Sequence, residues 1–499
     1  MTDLLLGVDV GTASSKGVLV DPNGELVASA ERPHATSMPR PGWFEHDAEQ
    51  VWWADFRALC GELVPRVQGR VAGVAVSGIG PCLLPADEEG RPLRPAILYG
   101  IDTRAAQEIE ELDRTYGADR ILARCGSPLT SQAVGPKLLW LRRHEPDVWA
   151  RTRRLLMAHT FVVHRLTGAY VLDHHAASQC DPLYDLRAGR WIEEWATDVA
   201  PGLLFPELAW PADVVGRVTP PAARETGLPA GVPVAAGSID AWSEALSAGV
   251  RRPGDLMLMY GSTMFLIEVG GELRPDARLW LTRGLFPGPL TRAAGMATSG
   301  ALTGWFRELV GGPPFETLLE EASAVPPGAQ GLLVLPYFAG ERTPIFDPSA
   351  RGMISGLTLG HGRGHVYRAL LEGTAYGVRH NLDVMEEAGG APTRVRAVGG
   401  GTQGGLWAQI VSDVLGRTQE VPAVSLGASY GDALLAAIGA GCATQDTEWN
   451  RTGTAVEPRP EAHETYARLY EQYRELYPAL RPTMHQLAEL QSHHGRSTG

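Results

Sequence analysis

Lysine is nearly absent from this chain. Of 44 basic residues only Lys16 and Lys137 are lysines, and every other one is arginine. Lysine and arginine meet phosphate differently, one as a compact point charge and the other as a planar fork, so a lysine retained beside a glycine turn at 16 suggests an anion ligand. Cysteine is scarce as well. Cys60, Cys82, Cys125, Cys180 and Cys442 are odd in number, scattered, and form no C-x-x-C pair, which speaks against a disulfide framework or a zinc site and fits a reducing compartment. Positive charge is outweighed, with a formal net charge of −13, so neither nucleic acid nor an anionic membrane surface would gain Coulomb energy from binding here. No stretch approaches the roughly 18 apolar residues of a membrane span, and the first residues carry Asp3 and only a short apolar run. These absences predict a cytoplasmic protein whose ligands are small.

What is present begins at residues 4–20. An apolar run, Asp9, a turn of small residues over 11–17 and a second apolar run predict strand, turn, strand. Small residues let backbone N–H groups close on an anion, Thr12, Ser14 and Ser15 add hydroxyls, and Lys16 adds charge. A phosphate turn and an ordinary hairpin both fit. The device recurs at 255–269, where the tip is Gly261-Ser262-Thr263, and Gly11 and Gly261 lie 250 positions apart in a chain of 499. That length predicts two large domains, and the repeat predicts that they share one architecture. The expected division is 1–248 and 249–485, with a polar tail over 486–499 that should fray.

Between these landmarks the pattern predicts a helix over 48–64 and a buried strand over 70–77 that ends at Gly78-Ile79-Gly80-Pro81-Cys82. Strand ends of this kind often face a ligand crevice, although the glycines and proline serve a plain turn equally well. Asp102 and Arg104 precede a helix over 105–116, where Asp102 either caps the helix or meets a ligand. Helices follow over 135–149, stopped by Pro146, and over 151–168; the polar stretch 173–190 reads as a surface loop around a crevice. His174 and His175 are adjacent and complete no metal-ligand spacing. A strand over 232–236 leads to Asp240 at the head of a helix over 241–248, as its N-cap or as a crevice carboxylate. Further on come a helix over 298–309 with Gly300 and Gly304 on one side, a helix over 366–387, and a strand over 395–398 running through a glycine-rich bend into a helix over 406–415. Such a bend lets a flat or anionic ligand approach backbone and helix end. Neither lysine follows a glycine, which excludes a Walker A loop, and the glycines near 400 lack the following strand and acid of a dinucleotide fold.

Taken together, residues 9–17, 236–241, 259–265 and 398–416 resemble the FGGY carbohydrate kinases, within the superfamily of actin, hexokinase and heat-shock ATPases. Residues 41–47, 136–149 and 336–352 add to the resemblance, which spans about residues 4 to 440. It implies an α/β protein of two ribonuclease-H-like domains flanking a deep cleft for ATP and sugar, and members of the family are often homodimers. By position, Thr12, Ser14 and Lys16 match one phosphate motif and Gly261, Ser262 and Thr263 the other. Gly300, Gly304, Gly400, Gly401, Gln403 and Gly404 match the nucleotide side. Asp240 matches the catalytic base and Asp9 the acid that holds Mg2+, usually through water, with Asp240 sharing the ion. The acceptor segment departs from the pattern: xylulokinases carry Gln-Met-His after this strand and glycerol kinases Arg-Glu, where this chain has Ile79-Gly80-Pro81-Cys82. Partners for sugar hydroxyls must then come from elsewhere, with Asp102, Arg104 and Gln132 as candidates beside Ile79 and Gly80. The implied activity is ATP-dependent phosphorylation of a terminal hydroxyl on a ketopentose, polyol or related small carbohydrate. A non-kinase ATPase of the superfamily and an inactive sugar sensor are the other readings.

Overall fold

Two mixed sheets carry the molecule, and the computed structural model describes residues 2–496 apart from Leu273 and Gly404. In the first sheet, β1 (Thr2–Val10) turns back into β2 (Ser14–Val20), and β3 (Leu26–Pro33) pairs antiparallel beyond it. After helix α1 (Ala54–Leu63), β4 (Gly69–Gly78) returns on the other flank of β1 and parallel to it, followed by β5 (Pro233–Ala235). Helix α2 (Asp240–Ser247) ends this half. The second sheet repeats the plan: β6 (Asp255–Tyr260), β7 (Met264–Gly270) and β8 (Leu290–Met296) are antiparallel neighbours. Helix α3 (Gly300–Leu309) follows, and β9 (Arg394–Val398) and β10 (Gln419–Pro422) add parallel strands beside β6. Both sheets thus share the spatial order third, second, first, fourth, fifth, the duplication that the two Gly-hydroxyl turns announce.

Burial explains why the central strands read as continuous apolar runs. Leu4, Leu5, Leu6, Val8 and Val10 of β1 are all buried, as expected of a strand covered on both faces. One cover is α4 (Ala428–Gly439), a helix late in the sequence that lies across β1 and β4. A Cβ at Gly7 would sit 2.0 Å from the Ser429 carbonyl oxygen, and one at Gly73 would sit 2.8 Å from that of Ala436. α4 also crosses α2, where a Cβ at Gly431 would lie 1.9 Å from the Ser243 carbonyl oxygen.

Several expectations are corrected. The first turn is tighter than expected, because Ser14, Ser15, Lys16 and Gly17 are already strand. Pro146 opens the helix Pro146–Arg151 instead of only ending the one before it, since a first-turn proline has no N–H to lose. The stretch 151–168 divides into the strand Arg154–Leu156 and the helix Ala158–Thr167. Residues 173–190 are no surface loop: Asp173, His175, Ser178 and Asp181 are buried, and most of this polarity is paired internally, although Asp181 Oδ1 has no partner among the described residues. Asp173 faces His159 Nε2 at 2.9 Å, and it accepts from the Ser238 hydroxyl at 2.9 Å and the Ala176 N–H at 3.0 Å. Of the stretch 486–499 expected to fray, residues up to Arg496 continue α5 (Pro460–Arg496), with Ala488 buried, while the preceding part of α5 docks by Tyr466, Tyr470, Tyr473 and Met484; residues 497–499 lie outside the described residues.

Candidate active site

Strand register builds the floor of the cleft. Asp9 near the end of β1 pairs with Ser77 of β4, and the short strand Ser238–Ile239 pairs with Ser77 and Gly78 on the other side. That placement delivers Asp240, the next residue, to the Asp9 side of the sheet edge. The cleft is open to solvent and spans about 950 Å³ of space, part of it continuous with that solvent. Asp9, Gly80, Tyr99, Gln132, Asp240 and Glu244 line it from the first half, facing Met259, Thr263, Phe265 and Arg342 from the second.

The floor is acidic beyond what burial tolerates unaided. Burial pushes Asp9 up to about 6, although a hydrogen bond from Ser77 and the charge of Lys16 pull the other way. Burial and the charge of Asp9 hold Asp240 well above the usual carboxylate range, and the same two causes push Glu244 up to about 7. Asp432 of α4 is also raised by burial; its Oδ2 accepts from Ser77, while its Oδ1 has no partner among the described residues. An oxygen-only set with unsatisfied negative charge suits a hard divalent cation. Among the described residues no three His, Cys, Asp or Glu side chains form a metal-holding group, and Mg2+ is an ion that keeps several waters and takes one or two carboxylates. The residues present therefore fit Mg2+ held by Asp9 and Asp240.

Above this floor stand the two turns. In the first, the carbonyls of Gly11, Thr12, Ala13 and Ser14 are all engaged by the protein, with His34 Nε2 on Gly11 at 3.1 Å, Thr36 Oγ1 donating to Thr12 at 2.9 Å, the His34 N–H to Ala13 at 2.9 Å and the Gly11 N–H to Ser14 at 3.1 Å. In the second, the Gly300 N–H donates to the Gly261 carbonyl and the Ser299 and Ala301 N–H groups to that of Ser262. The start of α3 thus clamps the turn. Ser262 is exposed and Thr263 faces the cleft. Lys16 sits on β2 with its Nζ 3.8 Å from Glu31 and half its side chain exposed, and the Ser14 hydroxyl also donates to Glu31, at 2.7 Å.

The proposed acceptor residues separate into two groups. Gly80 and Gln132 reach the cleft, as does Tyr99, whose hydroxyl is 3.3 Å from that of Thr12. A Cβ at Gly80 would sit 2.7 Å from Ile239, so glycine lets this loop close against the residue before Asp240. Gln132 spends its carbonyl on the Gly100 N–H at 2.5 Å. Ile79, by contrast, is buried in the core. Asp102 and Arg104 close on one another: Asp102 Oδ2 accepts from Arg104 Nη2 at 2.7 Å and from the Phe44 N–H at 2.7 Å, and Arg104 reaches Glu45 at 2.8 Å. The guanidinium lies between the rings of Trp43 and Trp140, 4.2 and 5.0 Å from their centroids. Both side chains are buried behind the wall of the cleft.

Sequence reasoning missed Glu244, Trp242, Phe265 and Arg342. Glu244 had a signal, because it stands four residues after Asp240 and so shares its helix face. Phe265 likewise stands two residues after the second turn, on its returning strand. Arg342 lies in an irregular loop, where no periodicity announces which way a side chain turns.

Models of the N-terminal and C-terminal domains of the FGGY family of carbohydrate kinases match residues 4–247 and 257–440. The chain belongs to this family. It is similar to the xylulose kinase of Bacillus subtilis strain 168, 28% identical over 491 residues that cover 95% of this chain and 96% of the relative. The glycerol kinase of Nocardia farcinica is 29% identical over 481 residues, covering 90% and 93%. Among solved structures, the xylulose kinase of Rhodospirillum rubrum superposes with a TM-score of 0.90 at 36% identity, covering 97% of this chain and all of that one. The chain is an ATP-dependent sugar kinase of two α/β domains, and among its described residues no helix is long and apolar enough to cross a membrane.

Within this FGGY kinase the glycines expected on the nucleotide side differ in what they do. Gly304 and Gly400 face open space, so no protein atom explains the missing side chain. Gly300 is a packing glycine, since its Cβ would lie 2.6 Å from the Gly261 carbonyl oxygen. Gly401 is another, pressed between Trp407 and Tyr260. Gln403 is exposed, and Gly404 lies outside the described residues.

Proposed function

We propose that this kinase phosphorylates a terminal hydroxyl of a ketopentose, with Asp240 as the general base. The observation that carries the proposal is the position of Asp240 on the cleft floor, beside Asp9 and between the turn at 261–263 and the wall formed by Gly80, Tyr99 and Gln132. In phosphoryl transfer the protein's work is positioning and charge stabilisation, together with removal of the acceptor proton. A hydroxyl laid against the Gly80 wall would meet the Asp240 carboxylate on one side and a phosphate held by the two turns on the other. Burial and the charge of Asp9 favour the neutral form of Asp240, and it becomes a base when neighbouring positive charge favours its ionised form. Asp9 and Asp240 would hold Mg2+, which when bound neutralises charge on the phosphates. Thr12, Ser14, Lys16, Ser262 and Thr263 would meet those phosphates from both sides of the cleft.

The choice of a ketopentose rests on the relatives described as xylulose kinases and on the donors of the wall. The Gly80 loop brings no polar side chain, so hydroxyl recognition falls to Gln132, Tyr99 and Arg342, all on the cleft surface. An unpaired buried hydroxyl costs about 1–3 kcal/mol, enough to make these partners decide among sugars. A coupled assay of ADP release over ketopentoses, polyols and glycerol tests the acceptor, and a ketopentose should give the highest kcat/KM. Asp240→Asn should lower kcat at least about a thousandfold while nucleotide binding persists. Normal turnover in that variant would overturn the assignment of the base.

A further inference from the structure

His34 and Asp55 form a buried pair beneath the first phosphate turn, and nothing in the kinase reading gives them work. His34 follows β3, and its side chain is 7% exposed. Its Nδ1 lies 2.7 Å from Oδ2 of Asp55 on α1, and its Nε2 lies 3.1 Å from the Gly11 carbonyl oxygen. Asp55 Oδ2 also accepts the hydroxyl of Ser15, at 2.8 Å. A carboxylate and a peptide carbonyl can only accept, so both ring nitrogens of His34 must donate, and only the imidazolium form does so.

The groups that face His34 agree with a charged ring. Asp55 of α1 is in direct contact, and Asp9 of β1, an acid further off, interacts with His34 only through its charge. The ring of His46, from the strand Trp43–His46, stands 5.1 Å away. Burial pushes His46 down to about 4, so it brings no competing charge at neutral pH. Its Nδ1 accepts from the Trp52 indole at 3.1 Å, which leaves Nε2–H for the Thr36 hydroxyl at 3.0 Å, and Thr36 in turn donates to the Thr12 carbonyl. Burial alone would lower the pKa of His34, but the hydrogen bond and charge of Asp55, aided by the backbone of Gly11 and Thr12, leave it above the ordinary histidine value.

In a trans peptide the carbonyl of one residue and the N–H of the next point in opposite directions. Holding the Gly11, Thr12 and Ala13 carbonyls away from the cleft therefore aims the N–H groups of Thr12, Ala13 and Ser14 the other way. We infer that His34, kept as an imidazolium by Asp55, is a positioning residue that presents the backbone of the first turn to the nucleotide phosphates and sets a positive charge behind it. The inference rests on the reading of this turn as a phosphate site. If His34 loses a proton, the Asp55 bond retains Nδ1–H, and a bare Nε2 lone pair is left against the Gly11 carbonyl. Because the pKa is raised in the folded protein, the interaction is complete at low pH and disappears as pH rises through that value.

The test is calorimetric binding of a non-hydrolysable ATP analogue with Mg2+ to the full chain between pH 6 and 9. Wild-type affinity should weaken about tenfold as His34 deprotonates. His34→Gln, whose amide can still donate to Gly11 but cannot titrate, should remove that step while raising KM for ATP more than KM for sugar. Asp55→Asn should move the step to lower pH, and thermal melting verifies that both variants fold. A wild-type pH profile reproduced unchanged by His34→Gln overturns the inference and leaves the phosphate turn standing. Failure of the wild type to bind the analogue at all overturns both.

Discussion

The Ser77 hydroxyl lies 2.6 Å from Oδ2 of Asp432, and the same hydroxyl is 3.1 Å from Oδ1 of Asp9. A serine has one proton to donate, so these two acids from opposite ends of the chain compete for it. The contact to Asp9 is one of the influences that keep its pKa from rising further. Ser77→Ala should therefore drive Asp9 further towards its neutral form and weaken Mg2+-dependent nucleotide binding by about threefold to tenfold, at a stability cost of roughly 1 kcal/mol. Titration of nucleotide affinity against Mg2+ in wild type and variant measures the first effect, and thermal melting measures the second.

Gly300 and Gly304 separate packing from ligand approach. A methyl at 300 would strike the Gly261 carbonyl, whereas one at 304 meets open space. Gly300→Ala should lower the melting temperature and raise KM for ATP together, because it displaces the second turn. Gly304→Ala should leave the melting temperature within about 1 °C, or raise it slightly through helix propensity, and still weaken nucleotide binding. Unchanged nucleotide affinity in Gly304→Ala would remove that residue from the site.

Glu341 predicts a pH dependence of stability. Burial pushes it from 4.5 up to about 8, against the opposing hydrogen bonds from the Ala297 and Arg342 N–H groups. Between those pH values the folded state binds more protons than the unfolded chain, so stability falls as pH rises through the window. Glu341→Gln keeps an acceptor for both N–H groups and removes the titration. Its stability relative to wild type should increase by on the order of 1 kcal/mol per pH unit from about pH 5 to 8. Denaturant unfolding at several pH values checks the sign and the slope.

Asp102 and Arg104 should behave as a structural pair. Removing one partner leaves a buried charge alone, which costs about 3–5 kcal/mol. Asp102→Asn and Arg104→Met should each cause a large loss of melting temperature, and the double variant should lose less than the two added together. A selective rise in sugar KM without thermal loss would instead place the pair in the acceptor site.

These residues show where the sequence was legible. The duplicated strand, turn and strand, the acid at Asp9 and the helix headed by Asp240 are encoded locally, by alternation, small residues and position in a strand-to-helix junction, and they could be read directly. The segment 173–190 departs from the expectation because composition cannot distinguish a solvated polar loop from buried polar groups that hydrogen-bond one another, as Asp173 does with His159 and Ser238. Asp432 was invisible for another reason. Nothing in the sequence around it says that α4 crosses to the first sheet, and only that crossing brings its carboxylate to Ser77.

The crossing also bears on how the chain can be cut. A fragment ending near residue 248 would contain every strand of the first sheet but lack α4, leaving the backbone at Gly7 and Gly73 without the helix that rests on it. Those two glycines are shaped for a helix that begins 350 residues after the later of the two strands, Gly78 to Ala428, and Gly431 of that helix is shaped in turn for α2. The first half must therefore wait during synthesis with one face of its central strands open. Split halves should regain solubility only when 428–439 is supplied with the first of them.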